Sequence, residues 1–119
     1  MTPEDELRER LARVRARFAA AFDGKIAESF AALEGMAGAA EAIDIVIVAH
    51  RRLHEICGLA PTLGFAAIGK ATRAAETVMR PAAKSKRALT PAEIGDLKYE
   101  LDRLRVVAAS ELQAYSSRA

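Results

Sequence analysis

Apolar residues recur at three- and four-residue steps along most of the chain, the spacing of one buried face on an α-helix. Leu7, Leu11, Val14, Phe18 and Phe22 form the first series. Thr2 precedes it as an N-cap, Pro3 takes the first helical position, and Glu4, Asp5 and Glu6 complement the positive helix end. Asp23-Gly24 reads as a stop or a kink. A shorter helix follows from about Lys25 to Gly35, with Ile26, Phe30 and Leu33 inward, and "GMAGAAE" is a connection. A third helix spans roughly Ala40 to Leu63, its first half apolar nearly all round, as a central buried helix requires. The β-branched run Ile43 to Val48 would also suit a strand, but nothing elsewhere in the sequence offers a partner strand.

A fourth helix is predicted from about Phe65 to Met79, with Phe65, Ile68, Thr72, Ala75 and Met79 on one face. "RPAAKSKRAL" reads as the loop after it. The last helix opens with "TPAE": Thr90 caps, Pro91 follows, and Glu93 completes a capping box. Its inner stripe is Ile94, Leu97, Leu101, Leu104 and Ala108. The expected fold is all-α, an antiparallel four-helix bundle with an additional N-terminal helix, in one domain covering residues 1–119.

Composition narrows the function classes. The net charge of +2 is too balanced to argue for nucleic acid, and no apolar run approaches a membrane span. The single cysteine, Cys57, excludes an internal disulfide and fits a reducing compartment. The charged N-terminus lacks the apolar core of a signal peptide, so a cytoplasmic protein is expected. There is no Gly-rich phosphate loop, and no ATP site is expected.

The candidate chemistry lies on the third helix. At ~100° per residue, Val46, Ala49, Leu53, Ile56 and Ala60 cluster around the core direction, and His54 falls on the flank. Glu55 and Arg52 face water. Helical side chains lean toward the N-terminus, so the residue four positions beyond His54 would lean over its ring. That residue is Gly58, which leaves the imidazole uncovered at a cost of about 1 kcal/mol of helix propensity. His50 lies one turn before His54, closer to the core. The pair could clamp a metal, but no acidic or cysteine ligand set accompanies it, and no metal is expected. Cys57 is rotated toward the core and reads as a small hydrophobe.

The stretch "AHRRLHEICGLAPTLGF" resembles the histidine-containing phosphotransfer (HPt) domain of two-component phosphorelays. That family's motif has a histidine, an apolar residue two positions on, glycine at the fourth and glycine at the tenth. Here these are His54, Ile56, Gly58 and Gly64, with Leu53 before and Phe65 after. The resemblance implies that His54 accepts a phosphoryl group from a receiver-domain aspartate and passes it to another. It implies receiver domains of response regulators as partners, and a hybrid histidine kinase as a further one. It implies no cofactor on this chain, with Mg²⁺ on the receiver, and a monomer. It is strongest over residues 50–80. Two positions depart from the family pattern. Cys57 stands where lysine is frequent; Arg51, Lys70, Arg73 and Arg80 are the candidates to supply the missing charge. Pro61 lies inside the helix, with Ile47 and His50 as the other candidates for the receiver-docking face.

Two other classes compete. "HEI" resembles the phosphoacceptor box of histidine-kinase dimerisation modules, but Leu59 stands where that box has proline. A non-catalytic helical adaptor is the third.

Overall fold

The computed structural model describes residues 1–118. It is all-helical, with four long helices packing on one another: α1 (Pro3–Ala32), α2 (Ala42–Thr62), α3 (Ala66–Ser85) and α4 (Pro91–Arg118). A single 3₁₀ turn, Leu33–Gly35, follows α1. Ile43 to Val48 is helical, and no strand occurs among the described residues.

The N-terminal helix and the short second helix predicted from the sequence are one element. Gly24 does not stop α1: it is exposed, and a side chain there would meet open space. Its propensity cost of about 1 kcal/mol is outweighed by Phe22 and Ile26 on either side, both buried in the core. The additional N-terminal helix is therefore absent as a separate element. Thr2 caps α1 as expected, and Asp5 returns the bond to the Thr2 amide, closing a capping box.

The predicted loop from Arg80 to Leu89 is also mostly helix. Pro81 lies inside α3, which continues to Ser85 and ends at Lys86 in the left-handed conformation, φ 53°. Ala82, fully buried, keeps the last turn docked. The remaining link to α4 is short, and Leu89 closes it by burying its side chain and donating its amide to the Met36 carbonyl at 2.9 Å. Thr90 and Glu93 form the predicted capping box.

The predicted stripes of α2, α3 and α4 face one core. Val46, Leu53, Ile56 and Ala60 meet Ile68, Ala75 and Met79, with Leu97, Leu101 and Leu104 behind them. From α1 only Phe18, Phe22 and Ile26 are buried. Leu7 and Leu11, expected inside, are 64% and 37% exposed. The reason is length: α1 has 30 residues, or ~45 Å at 1.5 Å each, and its first turns outrun the elements that could cover them.

The α2–α3 turn brings the two helices together tightly. Gly64 sits at φ +89°, a conformation that favours glycine. A Cβ on Gly69 would come 2.6 Å from Cγ and 2.8 Å from Cδ of Pro61. Pro61 thus lies against α3 across a contact that only glycine permits. At the same end, Glu111 of α4 accepts the amides of Ala67 and Ile68 at 3.0 and 2.8 Å, satisfying the start of α3.

Candidate functional site

His54 lies in the middle of α2, with its side chain 71% exposed. Its Nδ1 faces Oε1 of Glu76 at 3.3 Å. His50, one turn earlier and 22% exposed, turns Nε2 to the same oxygen at 3.1 Å. The two rings are near parallel, 22° apart, with centroids 6.2 Å from each other. Glu76 comes from α3, and its side chain is only 3% exposed. Its other oxygen, Oε2, accepts from Arg80 one turn further along α3.

A carboxylate can only accept, so the two facing nitrogens carry the protons. Burial pushes the Glu76 carboxyl up, but hydrogen bonds from Arg80 and His54 and the positive potential of Arg80 and His50 outweigh it. The net effect holds Glu76 below the ordinary carboxylate range. In the neutral ring with its proton on Nδ1, Nε2 of His54 carries the lone pair. It has no protein hydrogen-bond partner among the described residues.

The surroundings form an open groove between α2 and α3, lined by Ile47, His50, Arg51, His54, Glu76, Arg80, Ala83 and Lys84. Arg51, Arg80 and Lys84 give its rim three positive charges near the exposed imidazole. Ile47 is half-buried and forms part of its wall. Gly58 is exposed, and a Cβ there would meet nothing within 4 Å. Close helix packing is therefore not what Gly58 serves.

The structure brings together His54, His50, Arg51, Arg80 and Ile47. Lys70 and Arg73 line a separate groove between α3 and α4, with Glu100 and Arg103. Pro61 is exposed but is set against Gly69. Cys57 is buried; burial and then Glu76 push its thiol up, against the smaller pull of Arg73 and Arg80. It is a neutral core thiol. Among the described residues no group of three histidine, cysteine or acidic side chains is arranged to hold a metal, and no helix is long and apolar enough to cross a membrane.

Glu76 is the site residue that sequence reasoning missed. Glu76 carried one faint signal. It follows Thr72 by four residues and precedes Met79 by three, so it sits at the margin of the buried stripe of α3.

No family model, curated protein or solved structure matches the chain.

Proposed function

We propose that this chain is a phosphorelay intermediate of the histidine-phosphotransfer type, built as a four-helix bundle. His54 Nε2 attacks the aspartyl phosphate of a receiver domain. The P–O bond to the aspartate breaks as the N–P bond forms, and the aspartate leaves as a carboxylate. The reverse step delivers the group to a second receiver's aspartate. The protein supplies a positioned nucleophile and a docking face; the charge needed on the transferring phosphoryl comes mainly from the receiver and its Mg²⁺.

The observation that carries this reading is the pairing of His54 with Glu76. A buried, ionised carboxylate holds the ring by Nδ1, and the opposite nitrogen is free on an exposed side chain. That combination orients the ring and places a proton on Nδ1, so that Nε2 is the nitrogen presented to a partner, which is what a nucleophilic histidine needs. Arg51, Arg80 and Lys84 lie where they can attract the acidic face of a partner and the phosphoryl oxygens. They take the place of the lysine that the motif lacks at Cys57.

The test is transfer from a receiver domain charged at its aspartate with labelled phosphate. Wild-type chain gains acid-labile, alkali-stable label, and His54→Gln gains none while keeping its helicity. Absence of uptake from every receiver tried, with the chain folded, overturns the reading in favour of an adaptor. The kinase dimerisation module has less support, because these four helices close a core within one chain.

A further inference from the structure

We propose that the projecting start of α1 is a docking site for an acidic amphipathic helix of a partner protein, separate from the His54 groove. The molecule measures 55 × 25 × 19 Å, and α1 contributes to its long axis. The first ties between α1 and the rest come at Val14, packed on the core, and at Arg15, whose Nε donates to the Leu63 carbonyl at 2.7 Å. Phe18 then stacks on Phe65 at 5.3 Å. Upstream of these ties the helix continues with Leu7 and Leu11 exposed. They stand in line with Val14 and Phe18 at steps of four, three and four residues, the spacing of a helix-pairing seam. The apolar seam of the core thus runs out onto an unpartnered helix.

Charge selects the occupant. On a helical wheel, Arg8 and Arg15 flank the seam on one side, and Arg10 and Arg17 on the other. Arg8 is loosely paired with Asp5 at 3.7 Å. Arg10 and Arg17 are exposed and form no ion pair with any described residue. A second copy of α1 would set arginine against arginine along both edges, which disfavours self-pairing. An anionic membrane is a poor match as well. Only two leucines are exposed on this arm, too little apolar surface to hold a helix in a membrane interface, and Asp5, Glu6 and Glu9 lie on the side of the wheel away from the seam. A helix with leucines in its seam and glutamates at its edges matches both the apolar line and the arginine flanks.

The arm leaves the bundle near Leu63, nine residues beyond His54 on α2, or ~14 Å of helix rise. A partner held there leaves His54 open to a receiver. The site would keep a phosphodonor or phosphoacceptor protein near the histidine and raise its effective concentration.

The probe is a synthetic helical peptide of three heptads, leucine in the seam and glutamate at the edges, read by fluorescence anisotropy against the intact chain. Binding is expected, and it weakens as salt is raised. Leu7→Ser with Leu11→Ser, or Arg10→Glu with Arg17→Glu, should each weaken it about tenfold or more. Both double variants should keep the wild-type melting temperature, since the altered side chains are exposed. Both should also take up phosphate on His54 from a free receiver as wild type does, so failure here is distinct from failure of the phosphotransfer reading. Three results overturn the proposal: a lysine-edged peptide binding as well as the glutamate-edged one; sedimentation showing a dimer that Leu7→Ser with Leu11→Ser dissociates; or binding to phosphatidylglycerol vesicles in place of the acidic peptide.

Discussion

Glu76 is buried beneath His54, and its Oε1 lies 3.3 Å from the ring's Nδ1. The contact crosses from α3 to α2 and fixes which imidazole nitrogen carries the proton. Glu76→Gln keeps the size of the side chain and removes its charge. Transfer to His54 should fall by about tenfold or more. The imidazole ¹⁵N shifts should change from a predominantly Nδ1–H pattern in wild type to a tautomer mixture in the variant. A variant that loses transfer but keeps the wild-type tautomer would show that Glu76 acts in another way.

On the proposed reading, Gly58 leaves the approach to His54 open. Space beyond its Cα is empty, so Gly58→Ala should stabilise the bundle by about 0.5–1 kcal/mol through helix propensity. Gly58→Leu should slow phosphotransfer strongly with a normal melting temperature. Wild-type transfer by Gly58→Leu would mean the ring is approached from another side.

The register of α2 was legible because its apolar residues repeat at helical spacing over the whole element. Val46, Leu53, Ile56 and Ala60 are all buried, and Arg52 and Glu55 are exposed, as the wheel requires. The exposed His54 and open Gly58 follow from the same register. The break expected at Gly24 did not occur, because tertiary burial of Phe22 and Ile26 overrides a local propensity. Pro81 likewise marks no boundary: Ala82 just past it is buried and holds the turn in place. Glu76 was hidden for a different reason. A lone acid beside an apolar stripe ordinarily faces water, and only the three partners converging from α2 and α3 make its burial tolerable. Those contacts are 22 and 26 residues apart in sequence for the two histidines, beyond what helical spacing can report.

Gly69 and Pro61 set the distance between α2 and α3. A Cβ on Gly69 would meet the rigid ring of Pro61, not a flexible side-chain end. Gly69→Ala should therefore destabilise the fold by about 1–3 kcal/mol despite alanine's better propensity. Adding Pro61→Ala removes both close ring carbons and should recover most of that loss in urea titrations. Additive effects of the two changes would disprove the contact as the cause.

Glu93 should govern part of the acid sensitivity. Hydrogen bonds from Arg87 and the Thr90 amide lower its carboxyl from 4.5 to about 2. A depressed folded-state value means the stabilisation is present above the unfolded-state value and is lost as pH falls through the folded one. Wild-type stability should therefore decline between about pH 4.5 and 2. Glu76, also depressed, adds to the same trend. Glu93→Ala should cost about 1–2 kcal/mol at neutral pH and flatten its share of the decline, measured by denaturant titration across that range. A variant with the wild-type pH slope would show that Glu93 contributes nothing to it.

The most direct measurement is the site of phosphate uptake. Intact chain is incubated with a receiver domain labelled at its aspartate in the presence of Mg²⁺, and the modified residue is located by mass spectrometry under alkaline conditions. The phosphoryl group should be found on His54, with His54→Gln unlabelled and His50→Gln still labelled. Label on His50, or a folded chain that takes up none from any receiver of its host, would contradict a phosphorelay role for His54.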